Sequence, residues 1–211
     1  NLAWIGRPAA AVSVAGAHHV RFERCRFEHL AMTGLDFVRG THDDLIEGNV
    51  FRDIGGTAVQ MGSFQEGPVE THMPYVPRDA REVCTRERIG NNVVRDAANE
   101  DWGGVGIAVG YARGATIAHN DIADVSYTGI SVGWGWTRSR SALGDNRVHA
   151  NRLARVATRL CDTAGIYLLS AQPGTVVSEN SIGPITMSPY ADRPQHWFYL
   201  YTDEGSSFLT L

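Results

Sequence analysis

The nine residues Ile46-Glu-Gly-Asn49-Val-Phe51-Arg-Asp-Ile54 set a pattern that the chain repeats. Apolar side chains stand at the first, sixth and ninth positions, with Asn at the fourth. The phrase returns as Phe22–Leu30, Ile89–Ala97, Ile117–Val125, Val148–Val156 and Val177–Ile185. In chain order its fourth position is Cys25, Asn49, Asn92, Asn120, Asn151 and Asn180. Successive copies are 24, 43, 28, 31 and 29 residues apart. Self-similarity on this scale marks a solenoid, each separation being one coil plus a loop of variable length.

A second phrase follows each of the first five copies, usually Gly and then apolar-x-apolar. Its members are Gly34-Leu-Asp-Phe37, Ala58-Val-Gln-Met61, Gly106-Ile-Ala-Val109, Gly129-Ile-Ser-Val132 and Gly165-Ile-Tyr-Leu168, with Phe198-Tyr-Leu-Tyr201 in the last coil. Strict alternation places one side of such a strand in a core and the other in solvent. The Asn column has a physical cause of its own. At an inward bend a short amide can donate to one neighbouring coil and accept from the other, satisfying backbone groups that the turn exposes.

These observations define the expected fold as all-β: a right-handed parallel β-helix, a single-stranded solenoid of about six to seven coils with an Asn ladder. A β-sandwich would not repeat a whole phrase with one polarity. A leucine-rich repeat would need a Leu-dense phrase, and Pro and Gly interrupt nearly every candidate helix. Residues 1–211 form one β-helix domain in this reading. Because neither end resembles a polar cap, the intact protein is expected to continue on both sides.

Composition narrows the partners. The net charge is −4 and all 19 cationic side chains are Arg, so nucleic acid is not an expected partner. No apolar run reaches the eighteen or so residues of a membrane span. The three cysteines, Cys25, Cys84 and Cys161, lack metal-ligand spacing and read as buried thiols. No metal or cofactor is expected, and the chain is expected to be monomeric.

In a solenoid, function usually sits where loops interrupt the repeat. Interruptions fall near 63–82, 98–105, 134–145, 157–164 and 186–197. Those at 98–105, 157–164 and 186–197 occupy the same turn of different coils, which puts them on one edge. They and the last strand bring carboxylates Glu100, Asp101, Asp162, Asp203 and Glu204 near aromatics Trp102, Trp134, Trp136, Tyr167 and Tyr201. Paired carboxylates with aromatic walls suit glycoside cleavage: one acid protonates the departing oxygen, the other assists water or attacks the anomeric carbon.

Three segments carry a resemblance: Tyr127-Thr-Gly-Ile-Ser-Val-Gly-Trp-Gly-Trp136, Gly165-Ile-Tyr167 with Gln172-Pro-Gly-Thr175, and Asp203-Glu-Gly-Ser-Ser207. With Val105-Gly-Ile-Ala-Val-Gly-Tyr-Ala-Arg113, they resemble bacterial β-helix proteins related to glycoside hydrolase family 141. The resemblance runs from about Ala10 onward. It implies an extracellular or periplasmic carbohydrate-active enzyme acting on α-L-fucosides or xylan, with a polysaccharide or oligosaccharide substrate. It also implies Asp162 and Asp203 as the catalytic pair.

On that reading Trp102, Trp134, Trp136, Tyr167, Tyr201, Glu204 and Asp101 bind substrate. Extended strand alone would separate Asp162 from Asp203 laterally by about 15 Å, so the Asp162 loop has to fold inward. Two alternatives use the same scaffold: a pectate-lyase-like β-eliminase, and a non-catalytic carbohydrate-binding or adhesion β-helix.

Overall fold

The computed structural model describes residues 7–64, 72–185, 187–189 and 195–211. Parts of the excursions at 63–82 and 186–197 therefore lie outside the described residues.

Each nine-residue phrase folds as two short strands separated by a bend, and the second phrase supplies a third strand. The coils stack into a parallel β-helix with three faces. The longest face is seven-stranded: Ala10–Ala15, Thr33–Arg39, Val59–Met61, Ile107–Val109, Ile130–Val132, Thr163–Leu168 and Trp197–Thr202. A six-stranded face runs from Arg21–Glu23 to Val176–Ser178, and another from Arg26–Leu30 to Ser181–Ile182. A short pair, Cys84–Thr85 with Ala112–Arg113, sits at a corner.

All strand pairs in these sheets are parallel, and the registers are those of the repeat. Phe22, Ile46, Ile89, Ile117, Val148 and Val177 align as one column. Phe27, Phe51, Val94, Ile122, Leu153 and Ile182 align as a second. On the seven-stranded face the inner column is Leu35, Val59, Ile107, Ile130, Ile166 and Leu200. Most of these side chains are completely buried. Burying one such aliphatic or aromatic side chain contributes about 1.5–3 kcal/mol, so the three columns dominate the stability.

Two backbone devices turn the chain at each phrase. The third position is left-handed in every copy, with φ of 54° at Arg24, 68° at Gly48, 54° at Asn91, 57° at His119, 53° at Ala150 and 58° at Glu179. The next residue is the ladder position. Asn49 Nδ2 donates to Asn92 Oδ1 at 3.0 Å, Asn92 Nδ2 to Asn120 Oδ1 at 3.0 Å, Asn120 Nδ2 to Asn151 Oδ1 at 2.9 Å and Asn151 Nδ2 to Asn180 Oδ1 at 2.9 Å. Each amide also donates to a carbonyl of the coil on the other side, as Asn92 does to Ile46 at 2.9 Å. The strain of a left-handed Arg, His, Ala or Glu is thereby offset by hydrogen bonds that only the bent backbone permits.

The cysteines correct one expectation. All three are free, but only Cys84 is buried; Cys161 is half-buried and Cys25 exposed. Cys25 holds the ladder position of the first described phrase, where a described coil covers it on one side only. Among the described residues no helix is long and apolar enough to cross a membrane.

Candidate active site

Strand alternation points one column of the seven-stranded face outward: Asp36, Gln60, Ala108, Ser131, Tyr167 and Tyr201. The last two are stacked edge to face, with ring centroids 4.9 Å apart. Asp203 follows the final strand and is anchored by its backbone N–H, which donates to the Leu168 carbonyl at 2.9 Å. The turn after it is tight. Gly205 has φ of +81°, and a Cβ there would lie 2.7 Å from the Thr137 carbonyl oxygen. The Ser206 N–H closes the turn on the Asp203 carbonyl at 3.0 Å, and the Ser206 hydroxyl donates to Leu168.

The loop carrying Asp162 does fold inward. The N–H groups of Ala157, Thr158 and Arg159 donate to the carbonyls of Tyr127, Val125 and Ser126 on the preceding coil. Trp197 Nε1 donates to the Ala157 carbonyl at 3.0 Å, and the Tyr127 hydroxyl donates to the Asp162 carbonyl at 2.6 Å. Asp162 itself is left-handed, with φ of 57°. Held this way, its carboxylate meets the last strand: the Tyr201 hydroxyl donates to Asp162 Oδ1 at 3.3 Å, and His196 Nδ1 lies 3.5 Å from the same oxygen. The Asp203 carboxylate lies close enough to help raise the Tyr201 phenol, and it accepts a hydrogen bond at Oδ2 from the Tyr167 hydroxyl.

The opposite wall is the Gly133-Trp134-Gly135-Trp136 arch. Gly133 has φ of +104° and Gly135 +88°. A Cβ at Gly133 would meet the Leu169 carbonyl oxygen at 2.1 Å, and one at Gly135 the Tyr111 hydroxyl at 1.9 Å. Only glycine fits either place. Ser170 ties the arch down, donating to the Trp134 carbonyl at 2.6 Å and accepting from the Thr137 N–H at 2.9 Å. The two indoles meet edge to face at 4.8 Å.

Between the walls lies a cleft of about 280 Å³, lined by Asp162, Asp203 and Glu204 and by Tyr127, Tyr167, Trp134 and Trp136. Burial, reinforced by the nearby carboxylates, drives the tyrosine hydroxyls at 127, 167 and 201 well above the usual phenol range. At neutral pH they stay protonated and act as hydrogen-bond donors. His72 Nδ1 stands 3.6 Å from Glu204 Oε1 and 3.1 Å from the Trp136 carbonyl. Among the described residues no three His, Cys, Asp or Glu side chains converge as metal ligands.

Of the residues singled out from sequence, the cleft gathers Asp162, Asp203, Glu204, Trp134, Trp136 and Tyr167. Tyr201, on the last strand, bonds Asp162 of the preceding coil and stands two residues before Asp203. Asp101 lines a smaller adjoining hollow, with Oδ1 accepting from the Gly103 N–H at 3.3 Å. Trp102 lines neither: it is 45% exposed, and the Arg159 guanidinium lies over its ring at 4.7 Å. Sequence reasoning passed over Tyr127 and His196. Tyr127 opens the glycine- and tryptophan-rich segment and could have been flagged. His196 stands just before the last strand and carries no sequence pattern.

No protein-family model matches this chain, and no curated protein matches it. It is similar to a solved structure named "Glycoside hydrolase", at 49% sequence identity and a TM-score of 0.94 over 97% of this chain. The chain spans 34% of that protein's length.

Proposed function

We propose that this chain carries the active site of a glycoside hydrolase that cleaves polysaccharide of the α-L-fucoside or xylan type, as in glycoside hydrolase family 141, through Asp162 and Asp203. One observation carries the reading: carboxylates from two different coils, Asp162 held by Tyr201 and Asp203 by Tyr167, line one cleft walled by Trp134 and Trp136. The strong likeness to a protein named glycoside hydrolase supports it.

The hydrogen bonds also propose roles. A phenol has one proton, so Tyr201 cannot donate to both carboxylates at once. Asp203 already accepts from Tyr167, which makes it the carboxylate that works ionised. Asp162, whose carboxylate lines the cleft and accepts only the longer bond from Tyr201, is the acid. When Asp162 is protonated its bond to Tyr201 reverses: Asp162 donates to Tyr201, and Tyr201 donates to Asp203. In the reaction Asp162 gives its proton to the departing glycosidic oxygen as the bond to the anomeric carbon breaks. Asp203 either takes a proton from the attacking water or bonds the anomeric carbon first. The indoles pack against the C–H face of the sugar.

The test uses the full-length protein with fucosylated glycans, xylan and pectin, beside Asp162→Asn and Asp203→Asn. Hydrolytic release that falls by about 10²-fold or more in both variants is the expected result. Unsaturated products would assign a lyase instead. Glycan binding without turnover would leave a non-catalytic scaffold.

A further inference from the structure

We infer that the cleft is one end of a groove for an oligosaccharide of neutral sugars, with the Gln60 side-chain amide as a hydrogen-bond donor to a sugar hydroxyl at its far end. The substrate class rests on the hydrolase reading; the groove rests on its own observations. Gln60 belongs to the same outward column as Tyr167, three coils away, or roughly 14 Å at the spacing of stacked strands. That distance is more than one sugar ring covers. Between them the column is small, Ala108 and Ser131, so the floor of the sheet stays low along the whole path.

The far end is a distinct hollow of about 40 Å³, lined by Gln60, Thr57, Asp101 and Trp134 among others. Trp134 and Ser131 also line the cleft, so the two hollows adjoin and share one wall. A space of this size admits a hydroxyl or hydroxymethyl group but not a sugar ring. Gln60 is 3% exposed, and its Nε2 has no hydrogen-bond partner among the described residues. A buried amide donor left without an acceptor is unfavourable, and a ligand oxygen relieves it. The other polar groups around it are engaged: Thr57 Oγ1 accepts from the Val105 N–H at 3.1 Å, and Asp101 Oδ1 from the Gly103 N–H at 3.3 Å. A carboxylate keeps spare acceptor capacity, so Gln60 and Asp101 together offer one donor and one acceptor. A sugar hydroxyl needs that combination.

Charge selects among sugars. Asp101, Asp162, Asp203 and Glu204 line the two hollows, and no Arg does among the described residues. Asp36, next along the column, is already paired with Arg7. A uronate chain laid in this groove would meet like charge at each end.

The experiment measures binding by calorimetry, using the full-length protein with Asp162→Asn and Asp203→Asn combined to prevent turnover. The probes are xylan and xyloglucan fragments of increasing length. Affinity should rise with length and then level off. Gln60→Leu, which removes the donor at similar volume, should lower the affinity of long fragments about tenfold and leave that of the shortest as it was. Ala108→Phe, which fills the floor, should act in the same direction by a different route. Affinity independent of length, or unchanged at every length in both variants, would overturn the groove. Equal binding of oligogalacturonides by the unmutated protein would overturn its preference for neutral sugars. Hydrolysis of short glycosides without any length dependence would remove the groove and keep the hydrolase. Length-dependent binding with no hydrolysis of any glycan by the unmutated protein would do the reverse.

Discussion

The hydroxyl of Tyr167 donates to Oδ2 of Asp203 across one coil spacing, joining the middle of one strand to the turn that ends the next. The strand register produces this pairing: Tyr167 is opposite Tyr201, and Asp203 lies two residues further along. Tyr167 is 6% exposed, and its burial keeps the phenol protonated. Tyr167→Phe removes one donor and little else. We expect hydrolysis to fall by roughly 10–10³-fold, with a melting temperature close to that of the parent. A parallel measurement of kcat and KM should place most of the loss in kcat, since the bond serves the carboxylate rather than the sugar. Unchanged kcat would mean that Asp203 does not work through this hydrogen bond.

The two tryptophan loops should respond differently. Trp134 lines the cleft, whereas Trp102 points elsewhere and carries Arg159 on its face. Glycan affinity should be the same in Trp102→Ala as in the parent and weaker by several-fold in Trp134→Phe, a change small enough for the arch to keep its shape. The reverse order, read by calorimetry on one fragment, would move the sugar platform to the Ala98–Val105 loop.

Asn120 sits at the centre of the stacked amides, donating to Asn151 Oδ1 and the Ile89 carbonyl and accepting from Asn92 Nδ2 and the Asn92 N–H. Asn120→Ala would leave several buried backbone and side-chain groups unsatisfied, a loss of about 2–4 kcal/mol at typical values per unmet bond. Urea unfolding should show it as a lower midpoint with an unchanged slope. A change under about 0.5 kcal/mol would mean that the amides merely fill the bend.

Stability should also depend on pH in an unusual direction. Glu87 is 1% exposed and accepts from Thr41 Oγ1 at 2.6 Å and from the Asp44 N–H at 2.8 Å. Burial pushes its carboxyl up to about 7, and Asp44 beside it is raised for the same reason. The folded chain therefore holds a proton that the unfolded chain releases above the ordinary Glu value of 4.5. Stability from this group is fully present below that value and is lost as pH climbs to about 7. The total for Glu87 is on the order of 3 kcal/mol. Aspartates held by arginines work the other way. Asp43 with Arg86 and Asp124 with Arg155 lie below the ordinary 3.8, and their contribution disappears as pH falls beneath it. Urea midpoints should thus peak between about pH 4 and 5 and decline toward neutrality. A midpoint that rises steadily from pH 4.5 to 7 would remove Glu87 as the dominant titrating group.

The arch offers a sharper structural test. Gly135→Ala would drive a methyl into the Tyr111 hydroxyl and force a left-handed backbone on a residue with a side chain. Both effects should displace Trp134 and Trp136. A cost of more than about 2 kcal/mol in unfolding free energy is expected, together with lost glycan binding. Retained binding at full stability would show that the arch can relax outward.

The amino-acid order by itself determined the solenoid, because three apolar positions per phrase recur with one polarity and only parallel stacking buries them all. It determined the outward column too: alternation puts Asp36, Gln60, Tyr167 and Tyr201 on one side whatever the loops do. It could not determine the bends, since left-handed Arg24, His119, Ala150 and Glu179 violate local preference and are held by amides from neighbouring coils. Nor could it place the loops. Trp102 and Trp134 look alike as tryptophans beside glycine, yet one meets Arg159 and the other a sugar-sized cleft. The position of Asp162 rests on backbone hydrogen bonds to Val125, Ser126 and Tyr127, and that of Asp203 on Leu168. These bonds join residues thirty or more positions apart, so they exist only once the coils are stacked.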